Sequence, residues 1–476
     1  MAAITSVEIG SFDLERFDSV LDDERMAAVR EGAAHAREVL GGRTIWHVNS
    51  TARGGGVAEM LIALLPYAHG AGVDARWAVI KGDKAFFKVT KRIHNLLHGS
   101  EGDGGPLGDE EREAYEAALE PNAEELAPEI RPDDIVVLHD PQTAGLVPAI
   151  KETGAGVIWR CHVGLDEPND CARRAWQFLL PYVKQADAYV FSRDAFVWED
   201  LDRSRGTIIA PSIDVFAPKN QEIDADHVMA ILAHAGIVED PAKGEPPEYL
   251  RMDGFKGAIE HQAELLEEQP LTLEDRYVLQ VSRWDRLKDP IGVIKGFAEY
   301  VAPHTDAHLV YAGPAVDDVS DDPEGAEVLE EARELWRSLP REQREKIHLA
   351  SLPMDDLDEN AAIVNALQRQ ATIVVQKSLA EGFGLTVAEA MWKGRPVVAS
   401  RIGGIQDQIE DGHCGVLLDD PRDLETYGKT VLALLEDPER AARIGEKARE
   451  RVKDQFLGTE SLLHYLQLIE PLTRER

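Results

Sequence analysis

Short apolar stretches alternate with longer helical patterns along most of the chain, and this alternation limits the fold more than any other feature. RTIWHVNS (43–50) and DIVVLHD (134–140) predict strands, whereas CARRAWQFLLPYVKQA predicts a helix. Several of the apolar stretches contain almost no polar residue, as is typical of parallel strands that are covered on both faces. The repetition therefore predicts a doubly wound α/β fold. The other predicted strands are 156–163, 188–192, 207–212, 276–284, 307–314, 346–353, 371–378 and 395–401.

The alternation is interrupted once, which predicts two domains. Residues 216–270 change to charged helical sequence with the Pro/Gly/Glu-rich break EDPAKGEPPEY, and the strand pattern restarts at residue 276. A chain of 476 residues is too long for one ordinary core and suits two. We predict Rossmann-like domains over 1–215 and 216–455, facing a cleft, with a helix from about 456 to 476 that packs back on the first domain or on the second.

The charge balance excludes several classes of partner. The chain has 87 acidic and 51 basic residues and a net charge of −36, a field that repels nucleic acid and anionic membranes.

No apolar run is long enough to span a membrane, and the N-terminus has no secretory pattern. The cysteines Cys161, Cys171 and Cys414 form neither a disulfide framework nor a CxxC metal pattern. We therefore expect a cytoplasmic protein in which any anionic substrate meets a local group of basic residues.

The stretch AEGFGLTVAEAMWK (380–393) combines two carboxylates with a glycine turn that leads into a helix. The first turn of a helix leaves backbone N–H groups unpaired, so Phe383, Gly384 and Leu385 predict a phosphate-binding turn. Glu381 precedes this turn, where its carboxylate could accept sugar hydroxyls, and Glu389 follows one helical turn later, where it could accept a ribose. An acidic first turn that complements the helix dipole is the alternative.

Basic and glycine-rich segments follow two other predicted strands. Arg283 and Lys288 in SRWDRLKDP lie at the strand edge where a diphosphate would need cations. Gly54, Gly55 and Gly56 in NSTARGGGVAEML allow the backbone to approach a sugar or a phosphate closely. They do not form the GxGxxG pattern of a dinucleotide cofactor, which argues against a dehydrogenase.

Polar residues at three further strand ends predict a hydroxyl-binding pocket, although a single histidine is more often structural. These residues are His139 and Asp140, Arg160 and His162, and Ser212 and Asp214. No HExxH, P-loop or GxSxG pattern is present, so metalloprotease, kinase-type NTPase and serine hydrolase functions find no support.

Taken together, SRWDRLKDP, EGFGLTVAE with its two glutamates, and the later GGI turn resemble the second domain of retaining GT-B glycosyltransferases of family 4. HVNSTARGGGVAEML, VLHDPQ, WRCHVGL and APSID resemble the trehalose synthases of the glycosyltransferring kind within that family. The resemblance implies an acceptor-side first domain, a nucleotide-sugar-binding second domain, and reversible transfer of glucose from an NDP-glucose to glucose, which gives α,α-trehalose. One departure is Gln406 and Asp407 after the GGI turn, where many relatives have glutamate.

The resemblance also implies residue roles. Arg283 and Lys288 would hold the donor diphosphate and stabilise the departing NDP. Glu381 would contact the donor glucose, Glu389 the ribose, and the backbone of Phe383, Gly384 and Leu385 the phosphate. The remaining assignments are closure over the substrates by Gly54, Gly55 and Gly56, contact with the donor sugar by His162, and acceptor hydroxyl binding by Asp140.

The expected ligands are NDP-glucose, glucose and trehalose, with ADP-, UDP- and GDP-glucose all open as donors. No tightly bound cofactor and no metal site are expected, and any Mg²⁺ would accompany the diphosphate. The alternatives are a trehalose phosphorylase that uses inorganic phosphate and glucose 1-phosphate, and a non-catalytic nucleotide-sugar-binding protein. The oligomeric state is open, with a homodimer among the options.

Overall fold

The computed structural model describes residues 4–52, 56–240, 244–316 and 323–474. The chain divides into two compact units. Unit 1 consists of Met1–Ser212 together with Phe456–Arg476, and unit 2 consists of Ile213–Gln455. Each unit contains one seven-stranded sheet.

The sheet of unit 1 is parallel except at one edge. Its strands are β1 (Ile4–Val7), β2 (Thr44–Asn49), β3 (Asp74–Ile80), β4 (Ile135–His139), β5 (Gly156–Cys161), β6 (Ala188–Phe191) and β7 (Gly206–Ile208). Their order is β1-β3-β2-β4-β5-β6-β7, and only β1 runs antiparallel to its neighbour. The helices are α1 (Asp23–Leu40), α2 (Gly56–Gly70), α3 (Lys84–Leu97), α4 (Asp109–Leu126), α5 (Asp140–Thr143), α6 (Val147–Glu152) and α7 (Asp170–Val183).

The main sheet of unit 2 likewise has seven strands and an antiparallel strand at one edge. Its unit contains β8 (Val238–Glu239), β9 (Glu248–Leu250), β10 (Lys256–Ala258), β11 (Glu264–Leu266), β12 (Leu271–Thr272), β13 (Tyr277–Val281), β14 (His308–Pro314), β15 (Ile347–Leu352), β16 (Ile373–Gln376), β17 (Val397–Ser400) and β18 (Val416–Leu418). The main sheet has the order β11-β15-β14-β13-β16-β17-β18, with β11 antiparallel. The helices are α8 (Ala225–His234), α9 (Pro290–Tyr300), α10 (Pro323–Ser338), α11 (Arg341–Arg344), α12 (Leu357–Gln370), α13 (Leu385–Trp392), α14 (Ile405–Gln408), α15 (Leu424–Glu436) and α16 (Pro438–Gln455).

The last helix, α17 (Gly458–Arg474), returns to unit 1. Its Tyr465 and Ile469 pack on one face of the unit 1 sheet with Ile45, Val137 and Ile158. Helices α3, α4 and α7 supply side chains to the core on the opposite face. The central strands are therefore buried on both sides, which explains why their sequences lack the alternation of a half-exposed sheet.

The predicted two-sheet α/β fold is confirmed, and each of the ten predicted strands is present. The interpretation of residues 216–270 as helical sequence is wrong for most of the segment. Among the described residues of this segment, only Ala225–His234 forms a helix, and four short strands, β8 to β11, follow it. One of them, β11, extends the main sheet by pairing with β15, so tertiary pairing overrides the local composition.

The described residues contain neither a helix suited to cross a membrane nor a cluster suited to hold a metal ion. No helix among them combines the length and the apolar character needed to cross a bilayer. In the same ranges, no group of three or more His, Cys, Asp or Glu side chains is arranged to hold a metal ion.

Candidate functional site

Lys288 and Glu381 come together at the carboxyl edge of the unit 2 sheet. Strands β13 and β16 are parallel neighbours, so the loops that follow them adjoin. Lys288 ends the 3-10 turn after β13, and its Nζ donates to Oε2 of Glu381 over 2.5 Å. The two side chains are only 15% and 12% exposed, so solvent screens this pair less than a surface ion pair.

The two loops are also joined through their backbones. The N–H of Leu379 donates to the carbonyl oxygen of Leu287 over 2.7 Å. The amide of the buried Gln280 donates to the Lys288 carbonyl oxygen over 2.8 Å and accepts from the Lys377 N–H over 3.2 Å. Because these bonds fix both loop backbones, the Lys288 and Glu381 side chains start from fixed positions.

A second ion pair, between Lys377 and Asp289, adjoins the first. Asp289 adopts a positive φ of 53° and caps α9 by accepting the N–H of Gly292 over 3.0 Å. The fully buried Lys377 ammonium donates to the Asp289 carboxylate and, over 2.6 Å, to the carbonyl oxygen of Pro421. This pair holds the start of α9 against the end of β16 and has a structural role.

The glycine turn before α13 leaves two backbone donors open. Gly384 has a φ of 82°, and no side chain of a described residue caps the helix. Within the described part of the chain, the N–H groups of Gly384 and Leu385 have no acceptor. The side-chain amide of Gln408 stabilises the turn by donating to the Phe383 carbonyl oxygen over 2.6 Å. Two unpaired N–H groups at a helix N-terminus can bind an anion.

Gly403 holds the same turn in place by its lack of a side chain. A Cβ at this position would lie 1.9 Å from the carbonyl oxygen of Glu381, which is far below van der Waals contact. The next residue, Gly404, donates its N–H to the Gly382 carbonyl oxygen over 2.7 Å. The predicted GGI turn therefore packs directly against the loop that carries Glu381.

Glu389 is buried in α13 with one carboxylate oxygen open. Its Oε1 lies 3.1 Å from Nζ of Lys219, whereas Oε2 has no hydrogen-bond partner among the described residues. The buried Lys393 donates to the Glu389 carbonyl oxygen over 3.1 Å, and burial holds the pKa of its ammonium well below the usual range. A buried carboxylate oxygen without a partner is costly, and a hydroxyl donor would remove this cost.

Arg283 is held much less firmly than Lys288. Its side chain is 68% exposed and contacts Asp285 over 3.3 Å. The guanidinium therefore keeps most of its donors for another group.

Residues from the neighbouring strands β4 and β5 of unit 1 lie together. Asp140 adopts a φ of 62°, and its Oδ1 accepts the backbone N–H of His162 over 2.7 Å. Burial raises the pKa of Asp140 to about 7. His139 lies between the rings of His162 and His47, with nitrogen–nitrogen distances of 3.2 and 3.1 Å. Arg160 is buried and donates to the Tyr465 hydroxyl.

Within the described residues, the glycine segment and the APSID segment add few contacts to the candidate site. Gly54 and Gly55 lie outside the described residues, and Gly56 begins α2. The buried Asp214 accepts the N–H of Phe216 over 3.0 Å, which closes a local turn.

The sequence interpretation missed His47, Lys219 and Lys377. His47 stands inside the apolar stretch RTIWHVNS, where a single histidine is usually structural. Strand register could have identified it, because His47 pairs with Val137, two residues before His139 on the same face of β4. Lys219 follows the first domain's APSID segment, and no local pattern links it to Glu389.

Two family models match the chain. One describes the N-terminal domain of trehalose synthase and matches residues 47–198, and the other describes group 1 glycosyl transferases and matches residues 262–451. A trehalose synthase of Pyrococcus horikoshii is 34% identical over 472 residues, which cover 99% of each chain. A trehalose phosphorylase of Pleurotus pulmonarius is 26% identical over 94% of this chain but only 59% of its own.

The fold is also that of solved glycosyltransferase structures. The α,α-trehalose 6-phosphate synthase of Burkholderia multivorans superposes with a TM-score of 0.65 at 16% identity, over 91% of this chain and 100% of the other. The family models and the full-length similarity confirm the resemblance seen in the motifs. The chain therefore belongs to the trehalose synthase family of GT-B glycosyltransferases.

Proposed function

We propose that the protein transfers glucose, with retention of configuration, from an NDP-glucose to the anomeric hydroxyl of free glucose, and that it forms α,α-trehalose and NDP reversibly. The observation that carries this proposal is the group formed by Lys288, Glu381 and the open N–H groups of Gly384 and Leu385 at one sheet edge. It combines a cation and an anion-binding turn in a chain with a net charge of −36.

Lys288 and the backbone turn suit the donor diphosphate. An ammonium has three N–H donors, so Lys288 can keep its bond to Glu381 while it donates to a phosphate oxygen. Arg283 would add a bidentate donor from its exposed position. Charge develops on the phosphate as the bond to glucose breaks, so these donors bind the transition state more tightly than the ground state.

Glu381 and Glu389 suit the two sugars of the donor. Glu381 is already oriented by Lys288 and would accept the glucose hydroxyls. The open Oε2 of Glu389 would accept a ribose hydroxyl. Phe383 is buried and shapes the turn between them. We assign His162 to the donor sugar, Asp140 to the acceptor hydroxyls, and Gly54, Gly55 and Gly56 to closure over the substrates.

Retention requires no enzymic nucleophile in this proposal. The acceptor hydroxyl attacks the face from which the phosphate departs, and the departing phosphate oxygen takes the hydroxyl proton. Glu381 therefore binds the sugar and transfers no proton. Mass spectrometry of protein quenched during turnover tests this step, because a trapped glucosyl–protein adduct would contradict it.

The test of the overall reaction is product analysis. The protein is incubated with glucose and ADP-, UDP- or GDP-glucose in turn, and trehalose is sought by chromatography. Trehalose from at least one donor is expected. Trehalose from glucose 1-phosphate but from no NDP-glucose would identify a phosphorylase, and donor binding without turnover would identify a non-catalytic nucleotide-sugar-binding protein.

The open oxygen of Glu389 favours the nucleotide donor over the phosphorylase alternative. Inorganic phosphate and glucose 1-phosphate have no ribose hydroxyl to pair with it. The 26% identity to the Pleurotus pulmonarius phosphorylase, over 59% of that protein, is also lower than the identity to the Pyrococcus horikoshii synthase.

A further inference from the structure

Three histidine rings of unit 1 form a hydrogen-bonded row, with His47 in β2, His139 at the end of β4 and His162 directly after β5. Nδ1 of His47 lies 3.1 Å from Nε2 of His139, and Nδ1 of His139 lies 3.2 Å from Nε2 of His162. His47 and His139 are buried, whereas His162 is half-buried. The row therefore runs from two fully buried residues to a residue that is partly exposed.

The chemistry of imidazole allows such a row only two proton arrangements. A neutral imidazole has one N–H donor and one bare nitrogen acceptor. Because both nitrogens of His139 face another ring, His139 must donate to one neighbour and accept from the other. If His47 donates, all three rings have the proton on Nδ1. If His162 donates, all three have it on Nε2.

The surroundings keep the rings uncharged. Burial lowers the pKa of His47 to about 3 and the pKa values of His139 and His162 well below the usual range. The neighbouring Arg160 guanidinium, held by the Tyr465 hydroxyl of α17, acts in the same direction. Asp140 is another ionisable group beside the row; its Oδ1 accepts the backbone N–H of His162, and its raised pKa comes from burial.

The inner end of the row selects between the two arrangements. Among the described residues, Nε2 of His47 has no partner, and His47 lines a largely apolar cavity. A proton on this nitrogen would have no acceptor among the described residues around the apolar cavity, and proteins tolerate an unpaired N–H donor less well than an unpaired acceptor. The opposite arrangement puts the unpaired N–H on Nδ1 of the half-buried His162, where water or a ligand can accept it.

We propose that His47 and His139 are positioning residues, which act through this row to hold all three rings in the Nδ1–H tautomer and so make His162 a fixed hydrogen-bond donor. The ligand-facing consequence rests on the proposed function, in which His162 contacts the donor sugar. There, Nδ1–H of His162 donates to a glucose hydroxyl oxygen. The tautomer itself is a property of the ligand-free protein.

The test is long-range ¹H–¹⁵N NMR of the protein with ¹⁵N-labelled histidine, which distinguishes Nδ1–H, Nε2–H and charged rings. His47→Phe, His139→Leu and His162→Gln assign the three signals by their loss. The expected wild-type result is three neutral Nδ1–H rings from about pH 8 to about pH 5. An Nε2–H ring, a mixed set or a charged ring in the row would overturn the proposal.

A second measurement separates positioning from mere packing. In His139→Leu, Nε2 of His162 loses its partner, so the His162 signal should move towards a mixture of tautomers. The kcat should fall roughly tenfold with little change in KM, a loss within the range caused by misplacing a group near the reacting atoms. An unchanged His162 tautomer in the folded variant would overturn the proposal. His98→Phe, at an exposed histidine of the same unit, is the matched control.

The two proposals can fail separately. If no NDP-glucose gives trehalose but the rings share the Nδ1–H tautomer, the proposed function fails and the histidine row stands. If trehalose forms but the rings differ in tautomer, the row fails and the proposed function stands.

Discussion

The side-chain nitrogen of Lys288 lies 2.5 Å from Oε2 of Glu381, so a cation and an anion from the loops after two neighbouring strands share one hydrogen bond. Lys288→Met should lower kcat about a hundredfold or more, because it removes a charge that stabilises the departing diphosphate. Initial rates of trehalose formation measure the effect. Lys295→Met, at an exposed lysine of α9, should keep wild-type activity, and near-normal turnover of Lys288→Met would contradict the assignment.

Two glycines with positive φ provide a matched test of the turn that carries Glu381. Gly403→Ala would put a Cβ 1.9 Å from the Glu381 carbonyl oxygen, whereas a Cβ at Gly412 meets no atom within 4 Å. Both variants carry backbone strain of about 1 kcal/mol. Only Gly403→Ala should displace Glu381, and its kcat should fall by roughly a hundredfold. Equal activities for the two variants would show that the close contact is unimportant.

The open carboxylate oxygen of Glu389 should determine nucleotide affinity. Glu389→Gln replaces the charged acceptor with a weaker one, so the Kd for NDP should rise about tenfold or more. Calorimetric titration with NDP measures this change. Glu436→Gln, at an exposed position at the end of α15, is the control, and an unchanged Kd for Glu389→Gln would remove the ribose contact from the proposal.

The buried histidines should make the protein less stable in acid. His47 has a pKa of about 3 in the folded chain against an ordinary 6.5, so unfolding allows the ring to take up a proton. The stability contributed by the neutral ring is complete above pH 6.5 and is lost as the pH falls from 6.5 towards 3. The loss amounts to about 1.4 kcal/mol per pH unit for each such ring.

His47→Phe removes one of these protonation events. Its urea midpoint should therefore fall less steeply than that of the wild type between pH 6.5 and roughly pH 5. If the urea midpoints of the variant and the wild type fall equally steeply with decreasing pH, His47 is protonated as easily in the folded chain as in the unfolded one.

The motifs predicted that Lys288 and Glu381 lie at the same edge of the unit 2 sheet, because parallel strands have their carboxyl ends at one edge. Lys288 and Glu381 follow β13 and β16, and once these strands are paired the two side chains adjoin. Their direct contact could not be predicted, because it depends on hydrogen bonds from Gln280, which lies inside β13. Lys377 looked like part of a strand end and is in fact a buried partner of Asp289.

The histidine row and the strand β11 could not be predicted from local sequence, for a related reason. His139 and His162 were identified as polar strand ends, but His47 has meaning only in the register of β2 against β4. Likewise, β11 is a strand because β15 offers it an edge. Both features depend on pairing between distant segments, which composition does not report.

The return of α17 to unit 1 has a consequence for biosynthesis. Residues 213–455 are translated between the two segments of unit 1, so unit 2 can fold on the ribosome while unit 1 still lacks its last helix. Until Tyr465 emerges, the Arg160 guanidinium has no phenol to bind, and the part of the sheet that Tyr465 and Ile469 cover stays exposed. The N-terminal half of the chain, although made first, is the last to be completed.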